Sequence, residues 1–159
     1  MRTLILGIGS SILTDDAVGI VVAGKLGERF AGRRDVEIAV NEEAGFTLLE
    51  EAIGYDRLVV VDAIVSEDEP GQVTRYVLGD FAVTAHAASP HGFNLATVLE
   101  FGRRQGLRVP DDVVVFGISV REVDTFGEEL TPAVAGRVDD IVETIASEIE
   151  RGGSQEGPD

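Results

Sequence analysis

The sequence predicts a single α/β domain, a three-layer sandwich with a mostly parallel twisted sheet and helices on both faces. The chain has 159 residues, of which 44% are hydrophobic, enough for one sizeable core. Short apolar runs alternate along it with segments of helical periodicity. Several runs, such as "LVVV" at residues 58–61, are apolar on both faces, which is typical of strands buried between two layers of helices.

Each element follows from its local pattern, in chain order. The predicted strands are short apolar or alternating runs at residues 2–7, 35–41, 57–63, 72–78 and 112–118. The predicted helices cover residues 15–30, 45–54, 92–105 and 131–150. Thr14 or Asp15 is expected to cap the first helix, and Pro132 suits the first turn of the last one. We expect one domain over residues 1–151 and a disordered tail at 152–159.

Composition excludes several classes of function. The chain has no cysteine, which removes disulfides, thiolate metal sites and cysteine nucleophiles, and its two histidines cannot form a three-histidine zinc centre. A net charge of −16 disfavours nucleic acid as a partner. A solvated surface is the first explanation of this acidity. Adaptation to a high-salt cytoplasm and attraction to a basic segment of a partner are the alternatives. No run approaches the roughly 20 apolar residues of a membrane span, and no signal peptide is evident, so we expect a cytoplasmic protein without membrane insertion.

The stretch "GIGSSILTDDAVG" at residues 7–19 resembles a phosphate loop only at first sight. A dinucleotide fingerprint would need a glycine where Ile12 stands, and no P-loop string exists. Asp15 and Asp16 would also repel phosphate from the start of a helix. We therefore interpret the glycines as a tight turn that brings carboxylates to the end of the first strand.

Three side chains are expected to converge at the carboxyl edge of the sheet, where parallel sheets bind ligands. Asp16 follows the first strand, Asp62 follows "LVVV", and His91 precedes the third predicted helix. Two carboxylates and an imidazole suit a divalent transition metal with open coordination positions better than a closed structural zinc. Structural roles remain possible for each of them: helix capping for Asp16, a loop cap for Asp62 and a core position for His91.

"GIGSSILTDDAVG", "VVVDAI", "SPHGFNL" and "FGEELTP" together resemble the maturation endopeptidases of nickel–iron hydrogenases, over residues 2–146. The resemblance implies a twisted α/β sandwich as the fold and a protease of aspartic type by family classification. We expect the protein to be a monomer. Its substrate would be the hydrogenase large-subunit precursor, which loses its C-terminal extension after nickel insertion. Nickel carried by that precursor's cysteines would be contacted by Asp16, Asp62 and His91, and cadmium or another divalent ion could substitute for it in crystals. No further catalytic residue is assigned.

Three positions depart from the family pattern. Ser10 stands where asparagine is usual, and Ala17 where glycine is frequent. The loop after the second strand is often rich in glycine and threonine, but here it reads "NEEAG". That loop is associated with substrate choice, so Asn41, Glu42 and Glu43 are the expected recognition residues and the identity of the hydrogenase is open.

Other functions compete with proteolysis. Ser89 lies two residues before His91, but nothing in the sequence orients the two as a nucleophile and its base. A metal-sensing chaperone that binds the large subunit without cleaving it would keep the same ligands. A Rossmann-like nucleotide-binding regulatory domain would instead bind a nucleotide, which Asp16 should hinder.

Overall fold

A computed structural model describes residues 1–43, 46–78 and 93–153 of the chain. Five strands form one sheet in the order β2-β1-β3-β5-β4, and all neighbours pair in parallel except β4, which runs antiparallel along one edge. The strands are β1 (Thr3–Ile8), β2 (Val36–Asn41), β3 (Arg57–Val65), β4 (Val73–Val77) and β5 (Asp112–Val120). The helices are α1 (Val18–Arg29), α2 (Phe46–Ala52), α3 (Phe93–Arg104), α4 (Pro132–Ala135) and α5 (Val138–Gly153), with a 3-10 helix at Thr14–Ala17.

Two hydrophobic cores lie on opposite faces of this sheet. Side chains alternate along β1, so that Ile5 faces the core under α1 and α5 while Leu4 and Leu6 face the core under α2 and α3. In β3, Val59 and Val61 face the first core, and Leu58 and Val60 face the second. The predicted mostly parallel sheet with helices on both faces is confirmed.

Two local predictions are wrong. The first helix has no side-chain cap: Leu13 precedes the 3-10 helix, Ala17 precedes α1, and neither cap position carries a side-chain hydrogen bond. The helix expected over residues 131–150 is two helices, α4 and α5. The chain turns at Gly136, a poor helix former, and the Arg137 guanidinium donates to the Pro70 carbonyl 3.1 Å away.

The last helix ends at Gly153. Residues 154–159 of the expected tail lie outside the described residues. Of the helices in the described part of the chain, none is long and apolar enough to cross a membrane.

Candidate functional site

The strand order makes a crevice at the carboxyl ends of β1 and β3. The strand β2 lies on one side of β1 and β3 lies on the other, so the strand order reverses at β1. Parallel sheets bind ligands at such a topological switch point. Pairing between β1 and β3 ends at Gly7 and Val61, whereas β3 continues beside β5 as far as Val65. Asp62 is therefore the first residue of β3 beyond the β1 pairing. It lies within the strand expected over residues 57–63, and β3 continues two residues further than expected, to Val65.

Close backbone contacts bring Asp16 to the same crevice. A Cβ on Gly9 would lie 2.1 Å from the Asp16 carbonyl oxygen, so the 3-10 helix sits directly on the turn after β1. A Cβ on Gly19 would lie 2.4 Å from the Val61 carbonyl oxygen, so the first turn of α1 rests on β3 immediately before Asp62. The two glycines allow approaches that any side chain would block.

Asp16 and Asp62 are both almost fully buried, each with 1% of its surface exposed. Removing a carboxylate from water is costly, and buried charges in proteins are normally paired or coordinate metals. Two acidic side chains held at a switch-point crevice can supply oxygen ligands to a divalent cation or bind a protonated group. Backbone packing thus places Asp16 and Asp62 at the same carboxyl edge of the sheet.

Asp15 has a different role from the expected cap. It is 5% exposed, and its two carboxylate oxygens accept hydrogen bonds from the Thr131 amide and hydroxyl, both at 2.8 Å. Thr131 is the residue immediately before α4, 116 positions along the chain. Asp15 therefore joins the carboxylate-bearing turn to the segment that follows β5.

A second link between these segments runs through Thr14. Its φ of 47° places a β-branched residue in the left-handed region, which costs on the order of 1–3 kcal/mol. The Thr14 amide donates to the Gly127 carbonyl at 3.0 Å, and the Thr14 hydroxyl donates to the Thr125 carbonyl. The Gly127 amide in turn donates to the Ile12 carbonyl at 2.9 Å. These bonds hold the strained turn in place and explain why "FGEELTP" accompanies it in the sequence.

The loop after β2 also reaches the turn. The Asn41 carbonyl accepts from the Gly9 amide at 3.2 Å, and a Glu42 carboxylate oxygen accepts from the Ser11 amide at 2.7 Å. The bonds from Ser11 lower the pKa of Glu42, because they stabilise its charged form. Asn41 and Glu42 thus flank the crevice as expected, and Glu43 follows them with an exposed side chain.

His91, Ser89 and the neighbouring His86 lie outside the described residues, so the predicted trio of Asp16, Asp62 and His91 is described only in its two carboxylates. The described chain resumes at Phe93, where α3 begins. The far end of α3 lies beside the start of β3, because the Arg108 carbonyl accepts from the Gly54 amide at 2.9 Å. The 12 residues of α3 span about 18 Å, so its first turn lies toward the carboxyl edge of the sheet.

Comparison with known proteins identifies the family. The family model described as hydrogenase maturation protease (HycI) matches residues 20–148. The hydrogenase 2 maturation protease of Escherichia coli (strain K12) is 32% identical over 162 residues, which cover 99% of this chain and 96% of that relative. The chain belongs to the hydrogenase maturation proteases.

Solved structures of hydrogenase maturation proteases share the fold. The hydrogenase maturating endopeptidase HybD from E. coli matches with a TM-score of 0.77 and 30% identity, covering 96% of this chain and 94% of that one. The [NiFe] hydrogenase maturation protease HybD from Thermococcus kodakarensis matches with a TM-score of 0.69 and 27% identity, covering 94% and 99% of the two chains. The α/β architecture and the protease family are therefore established together.

Sequence reasoning missed Thr131 and Gly127 as supports of this protease's crevice. The segment "FGEELTP" was singled out, but a single sequence carries no signal that its threonine bonds an aspartate 116 positions earlier.

Proposed function

We propose that this protein is an endopeptidase that removes the C-terminal extension of a nickel–iron hydrogenase large-subunit precursor after nickel insertion. The observation that carries the proposal is the pair of buried carboxylates, Asp16 and Asp62, at the switch-point crevice of a chain that belongs to the hydrogenase maturation proteases. The partner is named by analogy with the family and by the resemblance of the motifs.

Nickel enters this scheme as part of the substrate. We propose that Asp16, Asp62 and His91 contact the nickel that the precursor's cysteines already hold, since the chain itself has no cysteine. Hard carboxylate and borderline imidazole ligands would add to the soft thiolates of the substrate and complete a mixed coordination shell. A metal so placed can polarise the scissile carbonyl or lower the pKa of a bound water.

The residues of this chain would recognise and orient the substrate. Asp16 and Asp62 are fixed by backbone packing and burial, so they present their charge to the metal without first having to be ordered. The turn at residues 8–16 and the end of β3 would form two walls of the crevice in which the extension lies. Asn41, Glu42 and Glu43 lie on the rim, where we propose that they discriminate among precursors.

Mass measurement of the precursor tests this function directly. The purified protein is incubated with a nickel-loaded large-subunit precursor, and the mass of the precursor is followed with time. We expect a loss equal to the C-terminal extension, unaffected by serine-protease inhibitors. A stable complex with no change of mass would instead identify a metal-sensing chaperone.

A nucleotide-binding function is tested by equilibrium binding. We expect no saturable binding of adenine or flavin nucleotides, because the two buried carboxylates repel phosphate at the position a phosphate would occupy. Saturable nucleotide binding that is lost when Gly9 is replaced would contradict the proposed function.

A further inference from the structure

An acidic cleft lies beside the candidate site, between the end of β2 and α2. Its volume is about 360 Å³, and seven of the residues that the structure describes line it: Val40, Asn41, Glu42, Glu43, Thr47, Glu50 and Glu51. We call this the acidic cleft. Four of the seven lining residues are glutamates and none is basic, so the cleft concentrates negative charge within one short stretch of surface.

None of the four glutamates has an ion-pair partner among the residues that the structure describes, since Glu42 and Glu51 accept hydrogen bonds only from the neutral Ser11 and Asn41. Glu43 and Glu50 are exposed, and neither pairs with an arginine or lysine there, whereas most arginines elsewhere on the surface have a nearby carboxylate. Like charges gathered in one cleft repel each other. A cationic ligand would relieve that repulsion.

Asn41 supplies a second, independent observation. It lines the acidic cleft but is only 5% exposed, and its side-chain amide donates to the Thr47 hydroxyl at 3.1 Å and to Glu51 at 3.4 Å. Its side-chain oxygen is buried and accepts no hydrogen bond from the described residues. A buried acceptor without a donor is costly, since nearly all such groups in folded proteins are satisfied. The cleft therefore presents hydrogen-bond acceptors, and a ligand with several hydrogen-bond donors would match it.

The spacing of these acceptors favours an extended organic cation over a metal ion. Within residues 1–43, 46–78 and 93–153, no three histidine, cysteine or acidic side chains are close enough to hold one metal. A guanidinium carries five N–H donors in a planar fork and has no acceptor, so it can bond several separated oxygens at once. Arginine is thus the side chain that best matches this cleft.

We propose that the acidic cleft binds an arginine-bearing segment of the protein substrate. That this segment belongs to the hydrogenase precursor rests on the proposed function. The cleft is continuous with the candidate site, because the Gly9 amide donates to the Asn41 carbonyl at 3.2 Å and the Ser11 amide donates to Glu42 at 2.7 Å. A segment held in the cleft would therefore leave the neighbouring chain beside the turn that carries Asp16.

A peptide-binding experiment tests the proposal without any cleavage. The probe is acetyl-Ala-Arg-Gly-Arg-Ala-amide, and its control is the same peptide with citrulline, a neutral isostere, in place of both arginines. Binding is followed by NMR titration of the full-length protein. We expect saturable shifts at the Asn41 side-chain amide and in α2 for the arginine peptide, weakening as salt is added, and no saturation for the citrulline peptide.

A matched pair of variants locates the interaction. Glu43→Gln with Glu50→Gln removes two charges from the cleft without breaking the bonds that Glu42 and Glu51 make. Glu28→Gln with Asp139→Asn removes two exposed charges from the α1 and α5 face, on the other side of the sheet. We expect the first variant to weaken peptide binding by about fivefold or more, and the second to change it less than about twofold.

Three results would overturn the proposal. Equal weakening of peptide binding in both double variants would show a general attraction to the acidic surface. Equal binding of the citrulline peptide would show that the charge of arginine is not recognised. Unchanged NMR signals of Asn41 would place the peptide outside the acidic cleft. Because cleavage plays no part in this assay, its failure leaves the proposed protease function standing. Conversely, a protein that binds the peptide in the cleft but cleaves no precursor would contradict only that function.

Discussion

Asp16 and Asp62 are expected to be essential for processing and dispensable for folding. Replacing either residue by asparagine keeps the size of the side chain and removes the negative charge of a carboxylate that is only 1% exposed. Because asparagine fills the same space and keeps one oxygen acceptor, Asp16→Asn and Asp62→Asn should still fold and unfold cooperatively. Processing of nickel-loaded precursor should be abolished in both, as followed by mass spectrometry beside thermal unfolding. A variant that cleaves at the original rate would remove that residue from the site.

Asp15 is expected to act on the crevice through Thr131. Asp15→Ala deletes an acceptor of two hydrogen bonds at 2.8 Å and should cost about 2–3 kcal/mol of unfolding free energy, because bonds to charged groups are the stronger ones. Thr131→Ala removes only the hydroxyl bond and should cost less, and Thr131→Ser should restore it.

Denaturant unfolding of the two single variants and the double variant measures this coupling between Asp15 and Thr131. We expect the two losses to be clearly less than additive, since each substitution breaks the same hydroxyl bond. Fully additive losses would show that the contact contributes nothing to stability.

The hydrogen bond from the Ser11 amide to Glu42, which links the turn after β1 to the loop after β2, should depend on pH. The pKa of Glu42 is lowered by the bonds from Ser11, so the carboxylate that accepts them persists below the usual range of a glutamate. The contribution is present above the unfolded pKa of about 4.3 and is lost as the pH falls through the lower, folded value. NMR titration should show the Ser11 amide signal moving with the Glu42 carboxyl at that pH. In Glu42→Gln this step should vanish; an unchanged Ser11 titration would contradict the link.

Individual residues differ in how far the sequence could predict them. The positions of Asp16 and Asp62 were predictable because Asp16 follows a short apolar strand and Asp62 follows the apolar run "LVVV" within another, and the carboxyl ends of parallel strands share one edge. Asp15 was misjudged, because a cap and a long-range bond to Thr131 look alike when only the local sequence is known. The strain at Thr14 was also invisible, since threonine does not favour a φ of 47°.

The packing of α1 on the sheet should depend on Gly19 and not on Gly24, although both lie in that helix. A Cβ at Gly19 would meet the carbonyl oxygens of Val61 and Ile8 at 2.4 and 2.5 Å, so Gly19→Ala should push the helix away and cost about 1–3 kcal/mol. A Cβ at Gly24 would meet nothing within 4 Å, so Gly24→Ala should stabilise by up to about 1 kcal/mol. Thermal unfolding of both variants checks this; two shifts of the same sign would contradict it.

Elements were predicted well where one period dominates. The strands β1, β2 and β5 begin within one residue of expectation, because each follows one clear pattern, such as the apolar run "VVVFGI" at residues 113–118. The segment over residues 131–150 keeps helical periodicity across Gly136, so its pattern could not reveal the break. Next to the break, Arg137 donates to the Pro70 carbonyl, a contact between distant parts of the chain that the local sequence does not show.

At the scale of the whole molecule, three loops meet at one edge of the sheet. The turn after β1 bonds the loop after β2 through Glu42 and the segment after β5 through Asp15 and Thr14. This edge therefore holds both buried carboxylates and the rim of the acidic cleft. The architecture was predictable from alternating strands and helices, whereas the meeting of the loops was not, because it is formed by side chains and backbone groups far apart in sequence.

We propose that this edge recognises the nickel that the precursor already carries. To test this, the purified protein is incubated with nickel-loaded and nickel-free forms of the same precursor, and the masses of the products are measured. Only the nickel-loaded form should lose its C-terminal extension, since Asp16 and Asp62 have a metal to contact only there. Equal cleavage of the two forms would contradict it.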